Sequence, residues 1–127
     1  MKKESICTQR APAPVGPYSQ AVRAGNLLFL SGQIALDPAT GQLVSGDVRD
    51  HTKQIMANLK AVLEKAGASL DNVVKTTIFL TDMQDFAAVN EVYGSYFTAD
   101  PPARSCVQVT ALPKGVPIEI EMIAQLD

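Results

Sequence analysis

The sequence predicts an α+β sandwich: about six strands in a mixed sheet, with two helices on one face. Three observations carry that expectation. Apolar residues recur every three and four positions from Val48 to Ala66, short β-branched runs lie on either side of this stripe, and Gly, Asn and Pro fall where turns are needed. The length of 127 residues is one domain's worth, so residues 1–127 are read as a single unit.

The elements follow in order. Ala11-Pro12-Ala13-Pro14-Val15-Gly16-Pro17 is too rich in proline for a helix or a central strand and reads as an ordered lead-in loop. Tyr18–Arg23 and Leu27–Gln33 are strand-like runs around Gly25-Asn26, the pattern of a tight antiparallel hairpin. Asp37-Pro38-Ala39-Thr40-Gly41 is a second turn, before a short strand at Leu43-Val44. Val48, Thr52, Ile55, Leu59, Val62, Leu63 and Ala66 then form the stripe of an amphipathic helix, with Asp47 as its cap and Gly67 at its end. Val73–Leu80 is β-branched and mostly apolar, which predicts a central strand buried on both faces. A second helix follows the cap Asp82, placing Phe86, Asn90, Tyr93 and Phe97 on one face, and Pro101-Pro102 stops it. Ser105–Val109 and Ile118–Leu126 are the last strands, joined through Leu112-Pro113-Lys114-Gly115.

In the last strand Ile118, Ile120, Met122, Ala124 and Leu126 share one side, which the helices should cover. The second face is expected to carry Arg104, Cys106, Gln108 and Glu121 among apolar neighbours. A half-apolar sheet face in so small a protein favours self-association, so a homo-oligomer packed through that face is expected.

Composition excludes several function classes. The 11 basic and 13 acidic residues give a net charge of −2 with scattered positive charge, which disfavours nucleic acid as a main partner. Aromatic residues are 6% with no Trp, so stacking platforms for bases are scarce. One His and two Cys without a CxxC pattern cannot build a standard zinc site, so no metal is expected. The N-terminal Met1-Lys2-Lys3-Glu4-Ser5-Ile6-Cys7 lacks the apolar stretch of a signal peptide, and no apolar run is long enough to cross a bilayer. With Cys7 and Cys106 read as free thiols, a soluble cytoplasmic protein is expected, without a membrane partner.

Few residues are left to carry chemistry. Arg104 follows the stiff Pro101-Pro102-Ala103 and is placed either to hold a carboxylate through paired hydrogen bonds or to form a strand-end ion pair with Glu119 or Glu121. Glu121, mid-strand, is either a partly buried base for water or an exposed structural carboxylate; Glu119 reads as solvated. Cys106 reads as an inert small residue whose backbone amide matters more than its sulfur. Tyr18 and Ser31-Gly32-Gln33 flank the hairpin, where Gly32 marks either the close approach of another backbone or a ligand, or a bulge or strand-edge position. Asn90 needs hydrogen-bond partners on an apolar helix face, and His51 reads as solvated.

Together the segments Gly16-Pro17-Tyr18-Ser19-Gln20-Ala21, Ser31-Gly32-Gln33-Ile34, Val74–Leu80, Val89-Asn90-Glu91-Val92-Tyr93, Pro102–Val107 and Ile118–Met122 resemble the Rid family, the YjgF-type reactive intermediate deaminases. The resemblance implies a chorismate-mutase-like fold assembled as a homotrimer, with a site at each subunit interface. It also implies hydrolysis of reactive 2-imino acids, such as 2-iminobutanoate and 2-iminopropanoate, to 2-oxo acids and ammonia without cofactor or metal. By the same resemblance Arg104 holds the substrate carboxylate and Glu121 positions a water, while Tyr18, Ser31, Gly32, Asn90 and the backbone at Cys106 line the cleft. The rival class is a non-catalytic trimer that binds 2-oxo acids or acts as a chaperone-like module.

Overall fold

The computed structural model describes residues 2–127; Met1, the first residue of the N-terminal stretch read above, lies outside the described residues. Six strands, β1 (Glu4–Ile6), β2 (Ala21–Ala24), β3 (Leu27–Gln33), β4 (Val73–Leu80), β5 (Ala103–Gln108) and β6 (Ile118–Gln125), form one sheet in the order β1-β2-β3-β6-β4-β5. Only β4 and β5 run parallel, which makes the sheet mixed. Helices α1 (Val48–Lys65) and α2 (Phe86–Gly94) pack on the same face.

Local chemistry sets the boundaries. In the β2–β3 hairpin Ala24 pairs with Leu27, leaving Gly25 and Asn26 as the turn; Gly25 takes φ 65°, a conformation cheap only for glycine. Asp47 caps α1 by accepting from the amides of Arg49 and Asp50, and the Asp50 carboxylate accepts from the amide of Asp47 in return. Gly67, just past the end of α1, sits at φ 80°.

The sixth strand is not the expected one. Leu43 makes only an isolated bridge to Leu36, and the edge is filled instead by β1, which pairs Ile6 with Ala21. Three residues with one apolar member carry too little pattern to announce a strand. β2 begins at Ala21 rather than Tyr18, because Pro17 and the buried side chain of Gln20 hold the preceding residues in the loop. The Gln20 amide accepts from the amide of Thr8 and donates to the carbonyls of Thr8, Ala11 and Pro12. A short 3₁₀ turn at Met83–Asp85, capped by Asp82, precedes α2, and α2 ends at Gly94, before the double proline.

The core lies between sheet and helices. Leu28, Ile78, Leu80, Ile118, Ile120 and Met122 from the strands meet Ile55, Met56, Leu59, Val62 and Leu63 of α1, all essentially inaccessible to water. Each such side chain contributes about 1.5–3 kcal/mol by leaving water. β4 is central by sheet order, yet only one of its faces is buried in the chain: Val73, Thr76, Ile78 and Leu80 lie under the helices, while Lys75, Thr77 and Phe79 stay half-exposed. Phe29 and Val107 are 43% and 42% exposed, and with Phe79 and Ile123 they give the uncovered face an apolar patch.

Candidate functional site

Paired residues on neighbouring strands share a face, so the register assigns each candidate a side of the sheet. Thr76 pairs with Arg104 and Ile78 with Cys106, and Thr76 and Ile78 are buried beneath the helices. Arg104, Cys106 and Gln108 therefore stand on the helix-covered side, at the edge formed by β5. This corrects their expected position on the uncovered face. The reason is the parallel β4–β5 pairing, whose register sequence alternation cannot supply. Glu119 and Glu121 pair with Phe79 and Thr77 and do lie on the uncovered face.

Arg104 is held by α2. Its Nη1 donates to Asn90 Oδ1 at 2.6 Å, and its guanidinium carbon lies 5.4 Å from the ring centres of both Phe86 and Tyr93. The helical spacing of Phe86, Asn90 and Tyr93 thus becomes a cradle for one cation. Tyr93 is itself fixed: its hydroxyl shares a 2.7 Å hydrogen bond with Thr76 Oγ1, and its ring meets Phe97 at 4.9 Å. Burial raises the Tyr93 pKa, against the Thr76 hydrogen bond and the Arg104 charge, so it stays a neutral phenol. Among the described residues no carboxylate pairs with Arg104. The ion-pair alternative fails because both glutamates are on the opposite face. The guanidinium opens onto a hollow of about 430 Å³ lined by Asn90, Tyr93, Phe97, Pro101 and Pro102.

Cys106 is half-buried next along this side, and burial pushes its thiol pKa up, with Arg104 opposing. A raised pKa removes the thiolate, in keeping with an inert sulfur. His51 is only 8% exposed rather than solvated, and its Nδ1 is buried without a hydrogen-bond partner among the described residues. The helical period places it on the core side of α1, which its polarity had obscured.

The second cluster lies on the uncovered face. Tyr18, Gly32, Lys114 and Glu119 line a cavity of about 240 Å³ whose other walls include Pro12, Val15, Ile34 and Leu36. The bulge reading of Gly32 holds, and what approaches it in this chain is a side chain. The β3–β6 register shifts between Leu30 and Gln33, a bulge that puts Ser31 and Gly32 in the extra space. A Cβ on Gly32 would also fall 2.9 Å from Glu119 Cδ, so glycine makes room for this carboxylate. Ser31 Oγ donates to the Ser19 carbonyl at 2.6 Å, and its amide donates to the Gln20 carbonyl, tying the lead-in loop beside Tyr18 to the sheet.

The two glutamates exchange their expected environments. Glu121 is exposed and does not line the cavity, whereas Glu119 is half-buried. Burial raises the Glu119 pKa, and the nearby charge of Glu121 raises it further. The signal that would have found Glu119 is the pair Gly32 and Glu119, small residue against carboxylate, which requires the β3–β6 register.

Among the described residues no group of three His, Cys, Asp or Glu is placed to hold a metal ion, and no helix is long and apolar enough to cross a membrane. Residues 8–126 match the family model described as Endoribonuclease L-PSP. The chain is 57% identical over 122 residues to a RutC family protein of Pyrococcus horikoshii, covering 96% of this chain and 97% of that one. It is 51% identical over 122 residues to the 2-iminobutanoate/2-iminopropanoate deaminase of Mus musculus, covering 96% and 90%. The crystal structure of E. coli TdcF with bound serine superposes with a TM-score of 0.93 at 46% identity, covering 98% of this chain and 99% of that one. These matches span the sheet, both helices and both clusters, and the chain belongs to the Endoribonuclease L-PSP family, the Rid (YjgF-type) family its motifs resemble, among whose members are proteins named as imine deaminases.

Proposed function

We propose that this protein hydrolyses reactive 2-imino acids, with 2-iminobutanoate and 2-iminopropanoate as its substrates, to 2-oxo acids and ammonia. The observation that carries the reading is Arg104: a cation cradled by Asn90, Phe86 and Tyr93, facing a hollow and, among the described residues, lacking a carboxylate partner. Such a group is preorganised for a substrate carboxylate. The deaminase named in mouse supports this substrate class, and the TdcF relative with bound serine supports a small ligand that carries a carboxylate.

Arg104 and the Tyr18–Gly32–Glu119 cavity open on opposite sides of one chain, so the site is completed by pairing the β5 edge of one copy with the uncovered face of another. We assign this assembly as a homotrimer with three inter-subunit sites, in line with the expectation drawn from the family. The water-holding carboxylate is Glu119 in preference to Glu121, because Glu119 is the one that lines a cavity and has a raised pKa. Tyr18, Ser31, Gly32 and the backbone at Cys106 shape the cleft.

In the reaction a protonated imine carbon accepts water, forming a C–O bond while the C=N electron pair moves to nitrogen. Glu119 takes a proton from the water and returns it to nitrogen. The C–N bond then breaks with its electron pair leaving on ammonia, the hydroxyl proton passes to Glu119 as the C=O forms and from there to the ammonia, and one 2-oxo acid and one ammonium ion leave. Nothing beyond orientation, a held water and a proton relay is required.

The test couples the purified protein to a threonine dehydratase that releases 2-iminobutanoate in the presence of semicarbazide. Faster 2-oxobutanoate formation and less semicarbazone are expected with the wild-type protein, and neither with Arg104→Ala. Equal rates with and without wild-type protein would refute deaminase activity. Saturable binding of 2-oxobutanoate without turnover would instead establish the non-catalytic module.

A further inference from the structure

Lys114 lines the same cavity as Tyr18, Gly32 and Glu119 and stands out for its backbone. Pro113–Val116 forms a turn closed by the Val116 amide donating to the Pro113 carbonyl, with Lys114 at φ 58°, ψ 18° and Gly115 at φ 68°. Two successive left-handed residues are what a type I′ turn requires, and Gly or Asn fills such positions with less strain than Lys. Lys114 is therefore held in a conformation its own side chain disfavours, at the wall of a candidate site. Among the described residues it has no ion-pair partner. Its carboxylate neighbour in the cavity, Glu119, is half-buried against Gly32.

We infer that Lys114 is a specificity-determining residue of the imino-acid site, setting the charge of substrate side chain that the site accepts. This rests on the deaminase reading above. The walls contributed by Pro12, Val15, Ile34 and Leu36 take apolar side chains, and the Lys114 ammonium adds selection by sign. An acidic side chain is attracted and a basic one repelled, whereas a short neutral chain is little affected.

The experiment compares imines generated in place by amino-acid oxidases from glutamate, arginine and 2-aminobutyrate, using semicarbazide competition to obtain kcat/KM for each. The readout is the ratio of the glutamate-derived to the arginine-derived substrate, with the 2-aminobutyrate product as reference. Lys114→Glu is expected to lower that ratio by about tenfold or more, since it reverses a charge in the cavity. Lys114→Asn, which suits the left-handed turn, is expected to fall between the two without losing thermal stability. A purely structural role would move all three substrates together. A ratio unchanged within twofold in Lys114→Asn and in any folded Lys114→Glu, with 2-iminobutanoate still hydrolysed by the wild type, overturns this inference alone. Wild-type protein inactive on all three imines overturns the deaminase reading and the inference with it.

Discussion

Arg104 and Glu119 project from opposite faces of one sheet: Arg104 pairs with Thr76 under the helices, and Glu119 pairs with Phe79 on the uncovered face. A site that needs both side chains must draw them from two subunits. Arg104→Ala alone should be inactive and Glu119→Gln alone should keep about 1% of wild-type activity, yet mixed assemblies should recover far more. With random reassembly of equal amounts in a closed ring, about a quarter of the interfaces carry both native residues. Assay of a co-refolded mixture should therefore give about a quarter of wild-type activity. No recovery, with mixed assembly verified by mass spectrometry, would mean that the site lies within one chain.

Arg104 owes its placement to a planar fork and a stacked cation, so charge alone will not replace it. Arg104→Lys should lower kcat/KM for 2-iminobutanoate by roughly 100-fold, because a lysine ammonium loses the paired geometry between Phe86 and Tyr93. Asn90→Ala removes only the 2.6 Å hydrogen bond that steadies the guanidinium, and about a tenfold loss, mostly in KM, is expected. Steady-state kinetics of both variants check the order; an Asn90→Ala loss larger than that of Arg104→Lys would contradict it.

Glu119 links site and stability through its raised pKa. A carboxyl whose folded pKa exceeds its unfolded value stabilises the fold when protonated, and this contribution is lost as pH rises through the folded pKa. Above its folded pKa the wild-type carboxylate therefore bears the cost of a half-buried charge. Glu119→Gln should melt a few degrees higher at pH 7, with the advantage shrinking as pH falls through the acid range. Its kcat should fall by about 100-fold with little change in KM. Thermal melts at several pH values and initial rates test both parts, and a Gln variant less stable at pH 7 would reverse the assigned sign.

Much of the scaffold was legible from residues. The i, i+3, i+4 stripe of α1 and its Asp47 cap, the Gly25-Asn26 hairpin and the extent of β4 all follow from local patterns that tertiary packing does not overrule. Arg104 and Asn90 stand out in the sequence, but their mutual contact does not, because it depends on the tertiary placement of α2 beside Arg104. The side of the sheet taken by Arg104 and the contrast between Glu119 and Glu121 were illegible for one reason. Both depend on strand register: the parallel β4–β5 pairing and the bulge at Ser31-Gly32, which no period-two pattern encodes.

Gly32 and Glu119 should be energetically coupled. A methyl at position 32 would enter the space now filled by the Glu119 carboxylate, forcing that side chain away. Gly32→Ala is expected to cut kcat by tenfold or more in a folded protein, whereas in a Glu119→Gln background, where the carboxylate's role is already lost, it should add little. A double-mutant cycle on kcat measures this, and strictly additive losses would show that Gly32 acts without Glu119.

The uncovered face should govern assembly. Phe29 and Val107 stand 43% and 42% exposed with Phe79 and Ile123 half-exposed between the strands, an apolar surface that a second copy would remove from water. Val107→Arg places a charge there without touching the helix-side core, since Val107 pairs with Phe79 on the other face. The variant should sediment as a folded monomer with native-like circular dichroism, and, on the proposed inter-subunit site, imine hydrolysis should fall with the oligomer because Arg104 and Glu119 would no longer be brought together. Desolvating an unpaired guanidinium costs several kcal/mol, enough to dissociate an interface at micromolar concentration. An active monomer in analytical ultracentrifugation would break the connection between assembly and site.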